Sequence, residues 1–249
     1  MAGSGNGVVL SIRGLHKAFG GLVAVRDLSF DVPDGAITGL IGPNGSGKTT
    51  VLNLVTGELR PDRGAVLLDG QDITGWPPFR ICRARIARTF QLVRVLPHMT
   101  VRENVMLGRM FGSAPTEPAR AAAQAEALIE RVGLGGRENV RGAQLTYIDQ
   151  KRAELARALA CRPRLLLLDE WLAGLNPTEL QTGIGLIRLI RAEGIALVLV
   201  EHVMEAVRAL CDSVVVMNTG ERIAVGTPDA VLSDPVVTRA YLGADDAAA

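Results

Sequence analysis

Gly42-Pro43-Asn44-Gly45-Ser46-Gly47-Lys48-Thr49 gathers three glycines, a lysine and a terminal hydroxyl into one short stretch, and it fits the pattern GxxxxGK[ST]. The chemistry this suits is the holding of a polyphosphate. Glycines let the backbone curl until successive N–H groups point inward at an anion. A helix starting at that point adds its positive N-terminal end. Lys48 can reach the β- and γ-phosphates, and the Thr49 hydroxyl can ligate Mg²⁺. The flanks are right: the apolar run Ile37–Ile41 enters the turn, and Thr49–Thr56 follows with Val51, Leu52 and Val55 at helical spacing before Gly57. A second group of residues complements the first. Four leucines, Leu165–Leu168, run into Asp169-Glu170. A carboxylate at the C-terminal end of a buried strand beside a phosphate loop can hold Mg²⁺ through water. A neighbouring carboxylate, Glu170, can orient and deprotonate an attacking water.

The elements that must position these groups alternate. Val8–Ile12, Leu28–Val32, Val66–Leu68 and Ile86–Phe90 read as strands, with turn signals at Gly20-Gly21 and Pro33-Asp34-Gly35. Leu165–Leu168, Ile195–Val200 and Val214–Met217 are apolar on both faces, as buried parallel strands require. Arg222–Val225 is a last strand. Asn176-Pro177-Thr178-Glu179 opens a helix with Asn as N-cap, Pro at N1 and Glu at N3, and Leu180, Ile184, Ile187 and Ile190 continue it. Between Leu92 and Gly142 the one strong helix is Ala119–Val132, and with Gln150–Ala160 it reads as a helical sub-lobe. Thr227-Pro228 and Asp234-Pro235 each open a short terminal helix, and the Ala247–Ala249 tail reads as frayed. The pattern predicts an α/β core with a largely parallel sheet.

Composition narrows the function. The chain has 249 residues, 48% hydrophobic and 21% charged, with a formal net charge of +1. Disorder as the main state is excluded by that apolar content. A balanced charge and 4% aromatics give neither an electrostatic nor a stacking reason to expect nucleic-acid binding. Cys82, Cys161 and Cys211 lie far apart, odd in number and without CxxC, which fits a reducing compartment and argues against a disulfide framework or a zinc site. The opening Met-Ala-Gly-Ser-Gly-Asn-Gly lacks the charged and apolar regions of a secretory signal. Ile195–Val200 is far short of the roughly 20 residues that span a bilayer. A mean hydropathy of +0.23 points to a mostly buried sheet plus a face that meets a partner.

With these residues in order, nearly the whole chain resembles the ATPase subunits of ABC transporters. The resemblance implies a P-loop NTPase core with a largely parallel sheet, an antiparallel β part and a helical subdomain. It implies one ABC ATPase domain over 1–249, with 8–91 and 161–249 as the catalytic α/β core and 92–160 as the helical subdomain. Gly42–Thr49, with Thr50, is then Walker A, and Asp169-Glu170 ends Walker B. Phe19 sits where the family stacks an aromatic on adenine. Gln91, in Arg-Thr-Phe-Gln, matches the Q-loop glutamine that senses Mg²⁺ and couples to membrane subunits. Leu145-Thr146-Tyr147-Ile148-Asp149-Gln150 stands where the LSGGQ-type signature lies, which carries nucleotide contacts from Thr146, Asp149 and Gln150. Gly174-Leu175-Asn176-Pro177 matches the D-loop and His202 the switch histidine. Taken singly, Phe19 could be a core aromatic, His202 a helix-start residue and Gln91 a polar strand end; their order around the two stronger motifs carries the resemblance.

Arg-Thr-Phe-Gln, the signature tyrosine, Gly-Leu-Asn-Pro and the closing Gly-Thr-Pro…Arg-Ala-Tyr-Leu-Gly are similar to subunits of high-affinity branched-chain amino acid importers and related urea or amide importers. The implied cofactors are ATP and Mg²⁺, the latter held by Thr49 and Gln91 with Asp169 behind. Implied partners are integral-membrane permease subunits, a second ATPase subunit and, indirectly, a solute-binding protein, at the cytoplasmic face of the membrane. A soluble ATPase of the same superfamily acting on nucleic acid or ribosomes is the rival, but such chains add a long coiled coil or a second cassette. A P-loop kinase or GTPase leaves the signature region and His202 unexplained.

The departures are specific. Ile148 replaces a signature glycine that lets backbone approach a γ-phosphate across the dimer, and a β-branched residue is stiff there. That favours a heterodimer over a homodimer. Trp171 stands where the family commonly has Pro; it either packs against the helical lobe or shapes the approach of water. Arg80, Arg83, Arg85 and Arg88 form a solvated face or a surface toward anionic headgroups or a membrane subunit. His98 reads as a loop residue, with no second metal ligand at useful spacing.

Overall fold

The computed structural model describes residues 7–245, so the Ala247–Ala249 tail and most of the opening heptapeptide lie outside the described residues. In chain order, β1 (Val8–Phe19) turns at Gly20-Gly21 into β2 (Leu22–Pro33), then β3 (Ile37–Ile41) leads to α1 (Lys48–Val55). There follow β4 (Arg63–Leu68), β5 (Gln71–Asp72), α2 (Pro78–Arg83) and β6 (Ile86–Arg88). Three helices come next, α3 (Val101–Phe111), α4 (Pro118–Arg131) and α5 (Tyr147–Ala160), before β7 (Leu165–Asp169). The chain continues through α6 (Pro177–Ala192), β8 (Ala196–Val200), α7 (Met204–Leu210), β9 (Ser213–Asn218), β10 (Glu221–Gly226), α8 (Pro228–Leu232) and α9 (Pro235–Asp245).

The chain divides into two compact units, one ending at Pro78 and resuming at Leu172, the other Phe79–Trp171. In the first, β3 pairs in parallel with both β8 and β9, and β10 closes the edge antiparallel to β9. Every residue of β3 and β8 is buried, which explains why, Thr38 apart, their sequences carry no polar alternation. Each fully buried Leu, Ile or Val there contributes about 1.5–3 kcal/mol over an exposed one. A separate antiparallel sheet runs in the order β2-β1-β4-β5. Its two long strands are interrupted by register shifts, which let Arg13, Gly14, His16 and Lys17 sit within a strand that the apolar pattern alone ends at Ile12.

In the second unit β6 and β7 pair in parallel, and α3, α4 and α5 pack together. The helical stretch 92–160 lies wholly inside this unit. The expectation of one strong helix between Leu92 and Gly142 needs correction, because α3 is a second. It is fixed by a capping box: the Thr100 hydroxyl accepts from the Glu103 N–H, while the Glu103 carboxylate accepts from the Thr100 N–H at 2.7 Å. Its Val101, Val105 and Gly108 face inward beside Asn104, whose side chain bonds the backbone of Leu96, Met99 and Thr100. These bonds satisfy a polar side chain that burial would otherwise penalise.

Candidate functional site

The phosphate-type loop hangs between β3 and α1. Gly42 has φ +150°, and a Cβ there would stand 2.1 Å from the Met217 carbonyl oxygen. Gly47 has φ +102°, and its Cβ would meet the Ala24 carbonyl at 2.3 Å. Both positions therefore exclude any side chain, sterically as well as conformationally. The Gly220 N–H donates to the Ser46 carbonyl at 3.1 Å and fixes the outer wall of the loop. No side chain of the N-cap residue Gly47 caps the first turn of α1, whose N-terminal end is the kind that suits an anion. The Lys48 ammonium is buried within the curl, donating to the carbonyls of Gly42 (2.8 Å) and Pro43 (2.9 Å). Asn44, Gly45 and Thr49 are exposed on this loop, and Thr50 is half-buried.

The acidic residues lie in the second unit. Asp169 ends β7 and is 2% exposed. Its Oδ2 pairs with Arg88 Nη2 at 2.7 Å, with both side chains nearly sealed from water. Arg88 thus leaves the exposed basic stretch expected of it and becomes the partner of the first Walker-B-type carboxylate. An unpartnered carboxylate at that depth would be costly, which is why the bulky cation is there. Glu170 follows with φ +49°, a left-handed conformation that is uncommon outside glycine. Its Oε2 accepts from Gln91 Nε2 at 2.8 Å. Gln91 is exposed and Glu170 half-buried, so the pair is open to water.

Trp171 is resolved by its hydrogen bonds. Its ring is 2% exposed, and Nε1 donates to the Lys151 carbonyl at 3.1 Å. Lys151 returns the contact: Nζ donates to the Trp171 carbonyl at 3.0 Å and to the Glu170 carbonyl at 3.4 Å. Trp171 is therefore packed on α5, and together with Lys151 it clamps the residue after Asp169 to that helix. The main-chain carbonyl of Glu170 is held there while its carboxylate points to Gln91.

The start of α5 holds the signature-like residues. Thr146 is the N-cap, accepting from the Asp149 N–H and donating its hydroxyl to Asp149 Oδ2 at 2.7 Å. Asp149 is buried and ion-paired with Arg137, with Arg152 at 3.6 Å. Gln150 Nε2 donates to the carbonyls of Gly142 and Leu145. Tyr147 is 52% exposed and Ile148 half-buried, so these two side chains are presented at the helix tip.

Phe19 stands 45% exposed at the end of β1, with the Lys17 ammonium 5.5 Å from its ring centroid. Pro43 and Ser46 are buried in the loop. Asn176 caps α6 in a reciprocal box with Glu179. His202 is exposed just past β8, and the preceding Glu201 is buried with Oε1 accepting from the Leu172 N–H at 2.7 Å. The structure thus brings Gln91 to Glu170 and Arg88 to Asp169 in one unit, while Lys48, Thr49, Phe19 and His202 belong to the other. Arg88, Lys151 and Glu201 were missed as positioning groups. The available signal was charge inside an otherwise buried context: Lys151 sits on the buried side of α5, and Glu201 directly ends an all-apolar strand.

Among the described residues no group of three or more His, Cys, Asp and Glu is arranged to hold a metal. The expected oxygen donors divide between the units, the Thr49 hydroxyl in one and the Gln91 amide oxygen and Asp169 carboxylate in the other. An all-oxygen set with few carboxylates suits Mg²⁺, which keeps several waters and shares its coordination with phosphate.

Comparison with known proteins converges. The family model described as ABC transporter matches residues 25–173, and that described as branched-chain amino acid ATP-binding cassette transporter matches 221–247. The chain is 40% identical to the high-affinity branched-chain amino acid transport ATP-binding protein LivG of Escherichia coli, over 94% of this chain and 98% of LivG. It is 39% identical to the corresponding BraF protein of Pseudomonas aeruginosa, with the same coverage. The lipopolysaccharide export system ATP-binding protein LptB of Acidithiobacillus ferridurans is 33% identical over 94% of this chain. Among solved structures, a nucleotide-free ATP-binding cassette superposes with a TM-score of 0.85 at 30% identity, covering 94% of this chain and 98% of that one. A cassette in its ADP conformation gives the same TM-score at 31% identity.

Proposed function

This chain belongs to the ABC transporter ATPase family, and from that premise we propose that it powers an importer of branched-chain amino acids or of related amides or urea. The observation that carries the solute class is the pair of relatives near 40% identity over almost the full chain, both named for branched-chain amino acid transport. The match of residues 221–247 to a model of that name supports it independently. The more distant export relative bears on the shared ATPase and not on the cargo.

Within the domain we assign 8–91 and 161–249 to the catalytic core and 92–160 to the helical subdomain. The amides of Gly45, Gly47, Lys48 and Thr49 and the Lys48 ammonium hold the phosphates, with Asn44, Ser46 and Thr50 completing the loop. Phe19 offers an exposed face for the adenine. Bound Mg²⁺, held by Thr49, Gln91 and Asp169, would neutralise charge on the transferring phosphoryl group. Glu170, oriented by Gln91, takes a proton from water as the water oxygen bonds to the γ-phosphorus and the bridge to ADP breaks. His202 holds the γ-phosphate. Arg88 fixes the Asp169 carboxylate and so positions it.

Membrane permease subunits complete the machine at the cytoplasmic face of the membrane, with a solute-binding protein delivering cargo. Among the described residues no helix is long and apolar enough to cross a membrane, which supports a separate permease. Thr146, Asp149 and Gln150 shape the helix tip that closes over nucleotide on a second ATPase subunit. Ile148 stands at that tip with a β-branched side chain, which supports a heterodimer with a subunit carrying glycine there.

The test is uptake of labelled leucine, isoleucine and valine by the complete complex in proteoliposomes, with Glu170→Gln as the control. ATP-dependent uptake lost in Glu170→Gln, with ATP binding retained, is expected. Uptake of none of these solutes, nor of labelled urea or a small amide, would overturn the cargo, and wild-type hydrolysis by Glu170→Gln would overturn the base.

A further inference from the structure

The three cysteines are distant in sequence, but two of them meet. Cys82 on α2 and Cys161 at the end of α5 have sulfurs 3.9 Å apart. A disulfide has an S–S bond of about 2.05 Å, so the sulfurs need to close by roughly 2 Å. Both thiols are half-buried, open enough for a small reagent, whereas Cys211 is buried. The surroundings are cationic. Arg83 lies beside Cys82, and Arg157 and Arg109 act on Cys161. Such a setting favours a thiolate. The hydrogen bond the two thiols share draws Cys82 down to about 7, while the same bond and burial push Cys161 up. Burial instead pushes Cys211 up to about 12.

We propose that Cys82 and Cys161 are a reversible redox modification site, forming an intramolecular disulfide with a low-molecular-weight disulfide as oxidant. The Cys82 thiolate attacks one sulfur of the small disulfide, forming a mixed disulfide and releasing one small thiolate. Cys161 gives up its proton to solvent and attacks the Cys82 sulfur, expelling the second small thiolate. Two protein thiols are oxidised and one small disulfide is reduced to two thiols. The bond ties α2, which leads through β6 to Gln91, to the C-terminal end of the helix that carries the signature-like residues. The division of labour matches ordinary exchange chemistry: the lower-pKa thiol attacks and its neighbour resolves.

The experiment uses the folded full-length chain, reduced and then incubated with oxidised glutathione at neutral pH. Free thiols are counted after denaturation, and peptides are mapped by mass spectrometry without reduction. The count is expected to fall from three to one, with a Cys82–Cys161 cross-linked peptide and Cys211 free. Dithiothreitol restores the count. Cys161→Ser should stop at a glutathione adduct on Cys82, and Cys82→Ser should give no cross-link. Three free thiols in the wild type, adducts without a cross-link, or a cross-link through Cys211 would each overturn the proposal.

Discussion

Trp171 can be taken apart in a graded series. Its ring is 2% exposed, and its indole N–H bonds the Lys151 carbonyl at 3.1 Å. Trp171→Phe keeps most of the apolar ring and loses the hydrogen bond, a change of about 0.5–1.5 kcal/mol. Trp171→Ala removes the whole ring and leaves a cavity, which costs about 3–5 kcal/mol. At roughly 2–4 °C per kcal/mol for a chain of this size, Phe lowers the melting temperature by about 1–6 °C and Ala by about 6–20 °C. The packing term should therefore dominate. Lys151 bonds the main chain of residues 170 and 171, so those two contacts can survive either substitution. Calorimetric melts of the purified chain read the stability, and steady-state ATPase of the assembled transporter reads the site. Loosening of the segment after β7 should lower kcat in Trp171→Ala with KM for ATP nearly unchanged. An Ala variant melting within 1 °C of wild type, or a Phe variant as unstable as Ala, would refute the reasoning.

Three further outcomes are expected. Lys48→Ala removes a charged donor from the phosphate loop, about 1.5–3 kcal/mol, so equilibrium binding of a fluorescent ATP analogue should weaken roughly tenfold to 150-fold. Arg88→Ala leaves the Asp169 carboxylate buried without that partner, a loss of about 3–5 kcal/mol that urea unfolding would record; the double change Arg88→Met with Asp169→Leu should recover much of it. Ile148→Gly should raise ATPase in the assembled complex by opening the helix tip, and an unchanged rate would remove the argument for a specialised partner subunit.

The strands buried on both faces were legible because burial forbids alternation: Ile37–Ile41, Leu165–Leu168 and Ile195–Val200 all lie in or overlap strands of the fold. The glycine-rich loop was legible because its glycines answer to backbone demands, as the clashes a Cβ would meet at 42 and 47 make plain. The long β1–β2 hairpin was cut short because register shifts place charged residues inside a strand, which breaks the period-2 signal. α3 was overlooked although Thr100-Val-Arg-Glu103 spells a capping box, because its apolar stripe is narrow and holds a buried Asn and Arg. Arg88 read as surface because charge is ordinarily solvated, and only the fold supplies Asp169 as its counter-ion. The same limit hid the meeting of Cys82 with Cys161: pairing across such a separation is a tertiary fact that no local spacing encodes.

The left-handed backbone at Glu170 restricts which replacements can interrogate that position. A β-branched residue placed there would fight the turn itself, so Val or Ile would report steric conflict in place of the proton transfer proposed for Glu170. Asn, Asp and Gly accept the geometry more readily, and Gln keeps the length of the native side chain. Saturation mutagenesis at this codon would consequently sort survivors by two independent criteria, tolerance of the bend and possession of a proton acceptor. Asp satisfies both while retracting the carboxylate by one methylene, which makes it the substitution that isolates reach from basicity.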